Sequence, residues 1–242
     1  MSLAPGERNR STTETWNRFH GEETYDPAKP LTDAPTFIVD PIDGTVNFVH
    51  GFPSACVSLG FAVDRVPTVG VVYNPFTKNL YSAIRGQGAF LNRETRLPLK
   101  GQNVESLSGL TNALISIEWG SDRSGPNWET KVRTFEKLGQ SKENGGAMVR
   151  SMRSLGSAAL NLCAVAEVTL DLYWEGGCWA WDVCAGWVIL AEAGGIMVDG
   201  NPGGWETRLD GRKYLAVRGA PEAGQKEIVE EFWSYIQGKL DY

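Results

Sequence analysis

Between positions 55 and 92, short apolar runs alternate with residues that break strands. The runs cover 57–63, 68–73, 80–84 and 88–91, and Asp64-Arg65, Asn74-Pro75 and Arg85-Gly86 separate them. Asx, Pro and Gly residues at such junctions favour turns, so the spacing predicts an antiparallel meander with one buried face. The run Phe37-Ile38-Val39 lies just upstream and joins it as a further strand. Beyond Asn112 the pattern lengthens: strands at 113–117, 148–152, 168–174, 195–198 and 214–217, and helices at 127–138, 157–167 and 181–193. Alternating helix and strand indicates a mixed second sheet. At 221–240, Ile228, Val229, Phe232, Trp233 and Ile236 recur at helical spacing, with Glu222 early and Lys239 late as the helix dipole prefers.

These elements define an α+β chain, a layered sandwich of helices and sheets. The expected organisation is one domain over 1–242: an atypical or disordered N-terminus at 1–18, an antiparallel half at 19–100 and a mixed half at 101–242. The stretch 100–112 is the one internal boundary, and 120–125 and 200–204 read as surface loops.

Composition narrows the function classes. A chain of 242 residues with 42% hydrophobic residues can bury a sizeable core. Its net charge of −6 argues against a nucleic-acid partner. Cys56, Cys163, Cys178 and Cys184 have no metal-binding spacing, and most lie in apolar runs, so reduced thiols and a cytoplasmic location are expected. No apolar stretch approaches a membrane span, and the first residues lack the blocks of a signal peptide. The two histidines, His20 and His50, have no triad around them and read as loop residues.

The chemistry concentrates where the first strand ends. Phe37-Ile38-Val39 runs into Asp40 and Asp43, then into Gly44 and Thr45. Asp-Pro and Asp-Gly are also common turn dipeptides, and a strand can end so without any chemistry. A half-buried carboxylate is costly unless compensated, and no Lys or Arg lies between Ala34 and Asp64. Paired Asp oxygens suit a hard divalent cation such as Mg²⁺, while a Gly-Thr turn offers backbone N–H groups and a hydroxyl to a phosphate. Glu22-Glu23, Glu175 and Asp182 also stand at the edges of apolar elements. Asp182 equally fits the first turn of a helix.

These residues resemble the inositol monophosphatase family. The resemblance rests on Asp40-Pro41-Ile42-Asp43-Gly44-Thr45, on Trp181-Asp182-Val183-Cys184-Ala185-Gly186 followed by Glu192-Ala193-Gly194-Gly195, on Gly21-Glu22-Glu23, and on Arg153-Ser154-Leu155-Gly156-Ser157-Ala158. It implies a Mg²⁺-dependent, lithium-sensitive phosphomonoester hydrolase acting on inositol monophosphate or a similar small polyol phosphate, assembled as a homodimer. By the same resemblance Glu22, Asp40, Asp43, Asp182 and the Ile42 carbonyl would hold two or three Mg²⁺ ions, with Glu23 as a supporting neighbour. Thr45 and Glu22 would activate the attacking water, with Asp43 among the catalytic groups. Gly44 and Thr45 would hold the phosphate, and Gly156, Ser157, Ala158, Glu175 and Asp182 would face the substrate.

The family also carries two helices and an acidic Thr-containing segment ahead of the Gly-Glu-Glu motif, where twenty mostly polar residues precede Gly21 here. Reduced turnover or stability, or a partner subunit covering a bare sheet face, is therefore expected. Asp26 and Asp33 are the candidates to orient Thr45 in place of that segment. Two alternatives accompany the leading reading: a sugar bisphosphatase or nucleotide 3′-phosphatase of the same superfamily, and a truncated relative that binds without turnover.

Overall fold

A computed structural model describes residues 18–101 and 104–242. The expected atypical N-terminus lies, apart from Arg18, outside the described residues. The first sheet has seven strands in chain order: β1 (Arg18–Gly21), β2 (Thr36–Asp43), β3 (Cys56–Val63), β4 (Val66–Asn74), β5 (Asn79–Ile84), β6 (Ala89–Leu91) and β7 (Thr95–Arg96). Every neighbouring pair is antiparallel except β1 with β2, which is parallel. The predicted meander is therefore present, with β2 as its expected extra strand.

The second half contributes β8 (Leu114–Ile117), β9 (Ser151–Arg153), β10 (Leu172–Gly176), β11 (Ile196–Asp199) and β12 (Lys213–Val217). They order as β11-β12-β10-β8-β9, with β8 parallel to both its neighbours and the remaining pairs antiparallel. This is the mixed sheet that the sequence predicts. Helices α3 (Ala158–Glu167) and α4 (Ala180–Glu192) lie between the sheets, and α2 (Gly125–Gly139) and α5 (Glu222–Ser234) cover the far side of the second. A short helix, α1 (Thr45–His50), follows β2 directly.

Two interior layers result. One joins Ile38, Val72 and Tyr81 of the first sheet to Leu162, Val165, Cys184 and Ile189 of α3 and α4. The other joins Ile115, Trp174 and Leu215 of the second sheet to Leu138, Ile228 and Phe232. Helix α4 is apolar on all sides because it is surrounded, as a helix buried between two sheets must be. It reaches the first sheet at two glycines: an added Cβ at Gly70 would lie 2.3 Å from the Ala185 carbonyl oxygen, and at Gly60 2.5 Å from Cys184 Sγ. Glycine there lets backbone meet backbone. Away from α4, alternate residues of the same strands leave the outer face of the first sheet apolar and exposed, at Phe19, Phe37, Leu59, Tyr73 and Ile84.

Some boundaries differ from the sequence reading. The strand expected at 148–152 begins three residues later, since Ala147, Met148 and Val149 hydrogen-bond back to the end of α2. The strand expected at 168–174 begins at Leu172 because Val168, Thr169 and Leu170 close the C-terminus of α3 through bonds to its carbonyls. The last helix stops at Ser234 rather than near Leu240; Leu240 instead exchanges hydrogen bonds with Asn201. His20 lies in β1 and His50 in α1, so neither is in a loop.

Gly70→Ala should lower stability by about 1–3 kcal/mol, because helix and strand must separate to admit the methyl group. Urea unfolding reads this directly. An unchanged midpoint would show that α4 does not press on β4 there.

Candidate metal centre and active site

Asp40 and Asp43 are three apart, a spacing that on a regular strand sends side chains to opposite faces. The β2–β3 register shifts between them: Asp40 pairs with Ser58 and Asp43 with Cys56, so one residue of β3 faces two of β2. Pro41 and Ile42 bulge outward and both aspartates turn inward and are buried. Gly44 then takes φ +85°, where a side chain would meet the Ser54 carbonyl oxygen at 2.7 Å, and α1 starts at Thr45. The third aspartate comes from the start of α4. Asp182 accepts the N–H of Trp179 at 2.6 Å, closing the first turn of the helix.

Carboxylate oxygens of Asp40, Asp43 and Asp182 lie within 4.8 Å of one another. One oxygen of each is committed to protein donors. Asp40 Oδ1 accepts Ile42 N at 2.9 Å; Asp43 Oδ2 accepts Ser157 Oγ at 2.5 Å and Ala159 N at 2.9 Å. The second oxygen of each accepts no N–H among the described residues, and no Lys or Arg forms an ion pair with any of the three. Burial, then the charge of Asp43, pushes Asp40 up to about 6; burial raises Asp43 to about 6 against the bond from Ser157. Asp182 rises well above the carboxylate range through burial and the charge of Asp43. Three oxygen donors, held by hydrogen bonds and lacking a countercharge, fit a hard divalent cation.

Glu22 reaches the same place through the parallel register of β1. Gly21 pairs with Val39, so the next residues, Glu22 and Asp40, come side by side. Burial and the charge of Asp40 push Glu22 up to about 7. Its segment is braced by aromatic rings: Tyr25 lies 4.7 Å from Trp179, Trp179 stacks on Trp181 at 5.2 Å, and His20 lies 5.4 Å from Trp181. Glu23 is exposed and acts on Glu22 only through its charge. The Ile42 carbonyl accepts the Thr45 hydroxyl at 3.1 Å. Asp26 bonds Ala28 and Lys29, and Asp33 pairs with Arg65, so neither stands in to orient Thr45.

The cluster opens into a cavity of about 540 Å³ lined by Asp43, Gly44, Thr45, Gly156, Ser157, Ala158, Glu175 and Asp182. All the substrate-side residues read from the sequence meet here. Glu175 is next to last in β10, accepts the Tyr173 hydroxyl, and is pushed up to about 7 by burial and the charge of Glu118, against the nearby Lys131. A cleft of about 500 Å³ beside Arg65, Arg85, Trp187 and Arg208 has no converging carboxylate cluster among the described residues. The sequence reading missed Asn47, Glu118, Trp119, Arg123 and Trp179, which also line the cavity. Glu118 had a usable signal, since it is an acid just past a strand, as Glu175 is at the end of one. The 120–125 segment is part of this wall rather than a plain surface loop.

Fold and site together define a class: layered helix and sheet proteins in which sheet ends and a helix start gather carboxylates around a cavity. A sequence model of the Inositol monophosphatase family matches residues 12–237, and the chain belongs to that family. It is 50% identical over 230 residues to inositol monophosphatase 2 of Saccharomyces cerevisiae, covering 93% of this chain and 76% of that one. Among solved structures, the inositol monophosphatase of Anabaena (Nostoc) superposes with a TM-score of 0.74 at 28% identity, covering 91% of this chain and 79% of that one. SaIMPase-II bound to inositol monophosphate superposes with a TM-score of 0.68 at 28% identity, covering 88% and 76%.

The raised aspartate pKa values set a sign for metal-free stability. Their native values exceed ordinary unfolded ones, so the folded protein binds more protons between about pH 4 and 6 and loses stability as pH rises through that window. Thermal melts in EDTA should therefore fall from pH 5 to pH 7.5, and Mg²⁺ should restore more at pH 7.5 than at pH 5. Asp182→Asn should flatten both trends. Melts that rise with pH in EDTA, with no Mg²⁺ response, would remove the cation from this cluster.

Proposed function

We propose that the chain is a Mg²⁺-dependent phosphomonoester hydrolase acting on inositol monophosphate or a closely similar polyol phosphate. The observation that carries this reading is the uncompensated cluster of Asp40, Asp43 and Asp182 beside a cavity that also presents Gly44, Thr45 and Glu175. Asp40, Asp43 and Asp182, with Glu22 and the Ile42 carbonyl, would hold two or three Mg²⁺ ions. Bound Mg²⁺ would neutralise the phosphate oxygens, acidify a water and stabilise the leaving alkoxide.

The remaining steps belong to the protein's own groups. The Thr45 hydroxyl donates to the Ile42 carbonyl, which leaves its lone pairs to accept a hydrogen bond from the attacking water and so aim that water. Glu22, side by side with Asp40, is placed to take the one proton the water gives up as it attacks, while the leaving alkoxide is protonated from solvent. The N–H groups of Gly44 and Thr45 hold the phosphate where β2 turns into α1. Glu175 accepts polyol hydroxyls from the opposite wall, with Gly156, Ser157 and Ala158 beside it. Oxygen-only donors and phosphoryl chemistry favour Mg²⁺ over softer ions. Lithium inhibition and a homodimer complete the reading by family likeness.

Phosphate release should be measured from inositol 1-phosphate, fructose 1,6-bisphosphate and adenosine 3′,5′-bisphosphate. Inositol 1-phosphate should be hydrolysed best, only with Mg²⁺, and inhibited by lithium. Thr45→Ala should reduce kcat by roughly 10²-fold while sparing Mg²⁺ binding, and Asp43→Asn should abolish Mg²⁺ activation. Absence of any release that needs both Mg²⁺ and Asp43 would overturn the enzyme reading; preference for the nucleotide would overturn the polyol assignment.

A further inference from the structure

Glu118 directly follows β8 and lies at the floor of the cavity, only 8% exposed. Its Oε1 accepts three N–H groups: Leu155 N at 2.6 Å, Gly156 N at 2.9 Å and Asn161 Nδ2 at 2.9 Å. Asn161, on α3, is itself fixed by the Ser116 hydroxyl on β8 at 3.0 Å. The Leu155 carbonyl is held from the other side by Asn47 Nδ2 at 2.7 Å, which also donates to the Ser54 carbonyl at 2.7 Å. No Lys or Arg forms an ion pair with Glu118 among the described residues.

The two sides of that turn differ. Ser157 and Ala159, which anchor Asp43, belong to the cap and first turn of α3, a ten-residue helix buried between the sheets. Leu155 and Gly156 have no helix behind them. Their geometry depends on Glu118 and Asn47, so disturbing Glu118 should loosen the substrate wall before it disturbs the aspartates. We propose that Glu118 is a positioning residue: it fixes the Leu155–Gly156 turn and thereby sets how the cavity wall meets the hydroxyls of the substrate. This rests on the polyol reading of the site and adds the residue that enforces it.

The test compares Glu118→Asp, which keeps the charge but shortens the reach, with Glu118→Gln, which keeps the reach and an acceptor oxygen, alongside Glu175→Gln, all with Mg²⁺. Glu118→Asp should raise KM for inositol 1-phosphate roughly tenfold, since small misplacements of positioning groups are expensive. It should move the inhibition constant of inorganic phosphate, which does not extend to the wall, by less than about threefold. Glu118→Gln should recover most of the lost KM. Equal shifts in KM and in phosphate inhibition, or no rescue by Gln, would reduce Glu118 to a structural role and overturn the inference. If Glu175→Gln alone changes KM, this inference fails and the polyol reading stands. If Glu175→Gln and Glu118→Asp both leave KM unchanged, the polyol reading itself fails.

Discussion

Three aspartates forced into one small volume at the edge of the cavity set the terms for the rest of the structure. Burial and mutual repulsion both disfavour their charged forms, and no basic side chain among the described residues pairs with them. A fold selected for stability alone would not assemble such a cluster. Each aspartate is nevertheless tied by one oxygen into the backbone around it: Asp40 to the bulge, Asp43 to the start of α3, and Asp182 to the start of α4. The same groups that would bind a cation therefore also fasten three elements at one point. Metal affinity and local order are linked through shared atoms.

The architecture explains how those elements reach that point. Helix α4 must press close to the first sheet for Asp182 to approach Asp40 and Asp43, and the glycines of β3 and β4 allow the approach. Ser58, beside Asp40 in the ladder register, donates to the Trp181 carbonyl at 3.1 Å, which locks the helix start against the strand. The bulge in β2 corrects the parity of the two aspartates. Glu22 needs no bulge, because the parallel pairing of β1 delivers it directly. Close packing, one register shift and one parallel edge strand thus place four carboxylates.

Much of this is legible in the sequence because it depends on local pattern. An apolar run ending in an acid marks a carboxylate at a sheet rim, and Asp40, Asp43 and Glu175 all carry that mark. Asp182 is legible as the first-turn acid of an apolar helix. The element boundaries that differ do so where tertiary hydrogen bonds override periodicity, as when Leu240 leaves the predicted helix to pair with Asn201. Asn47 is illegible for a similar reason: its partners, Ser54 and Leu155, are assembled only by the fold. His20 reads as a loop residue for want of a triad around it, yet its aromatic partners Tyr25 and Trp181 hold it in an edge strand. The aspartates expected to orient Thr45 fail because other partners claim them: Ala28 and Lys29 for Asp26, and Arg65 for Asp33.

The two walls of the cavity are built from different material, and this bears on how such a site can change. The metal side stands on strand ends and helix starts whose positions follow from core packing, so altering it disturbs the fold. The opposite side rests on the Leu155–Gly156 turn, the segment after Glu118, and the end of β10, where side chains rather than ladders hold the backbone. Lys131, buried beneath it, donates to the carbonyls of Trp119 and Gly176 at 3.0 and 2.8 Å and so joins two of those segments. Substitutions among these few buried polar groups can reshape the substrate wall while the aspartates stay in place. On the proposed reading, specificity and metal chemistry are therefore separable, because a few buried side-chain hydrogen bonds carry one and packed elements carry the other.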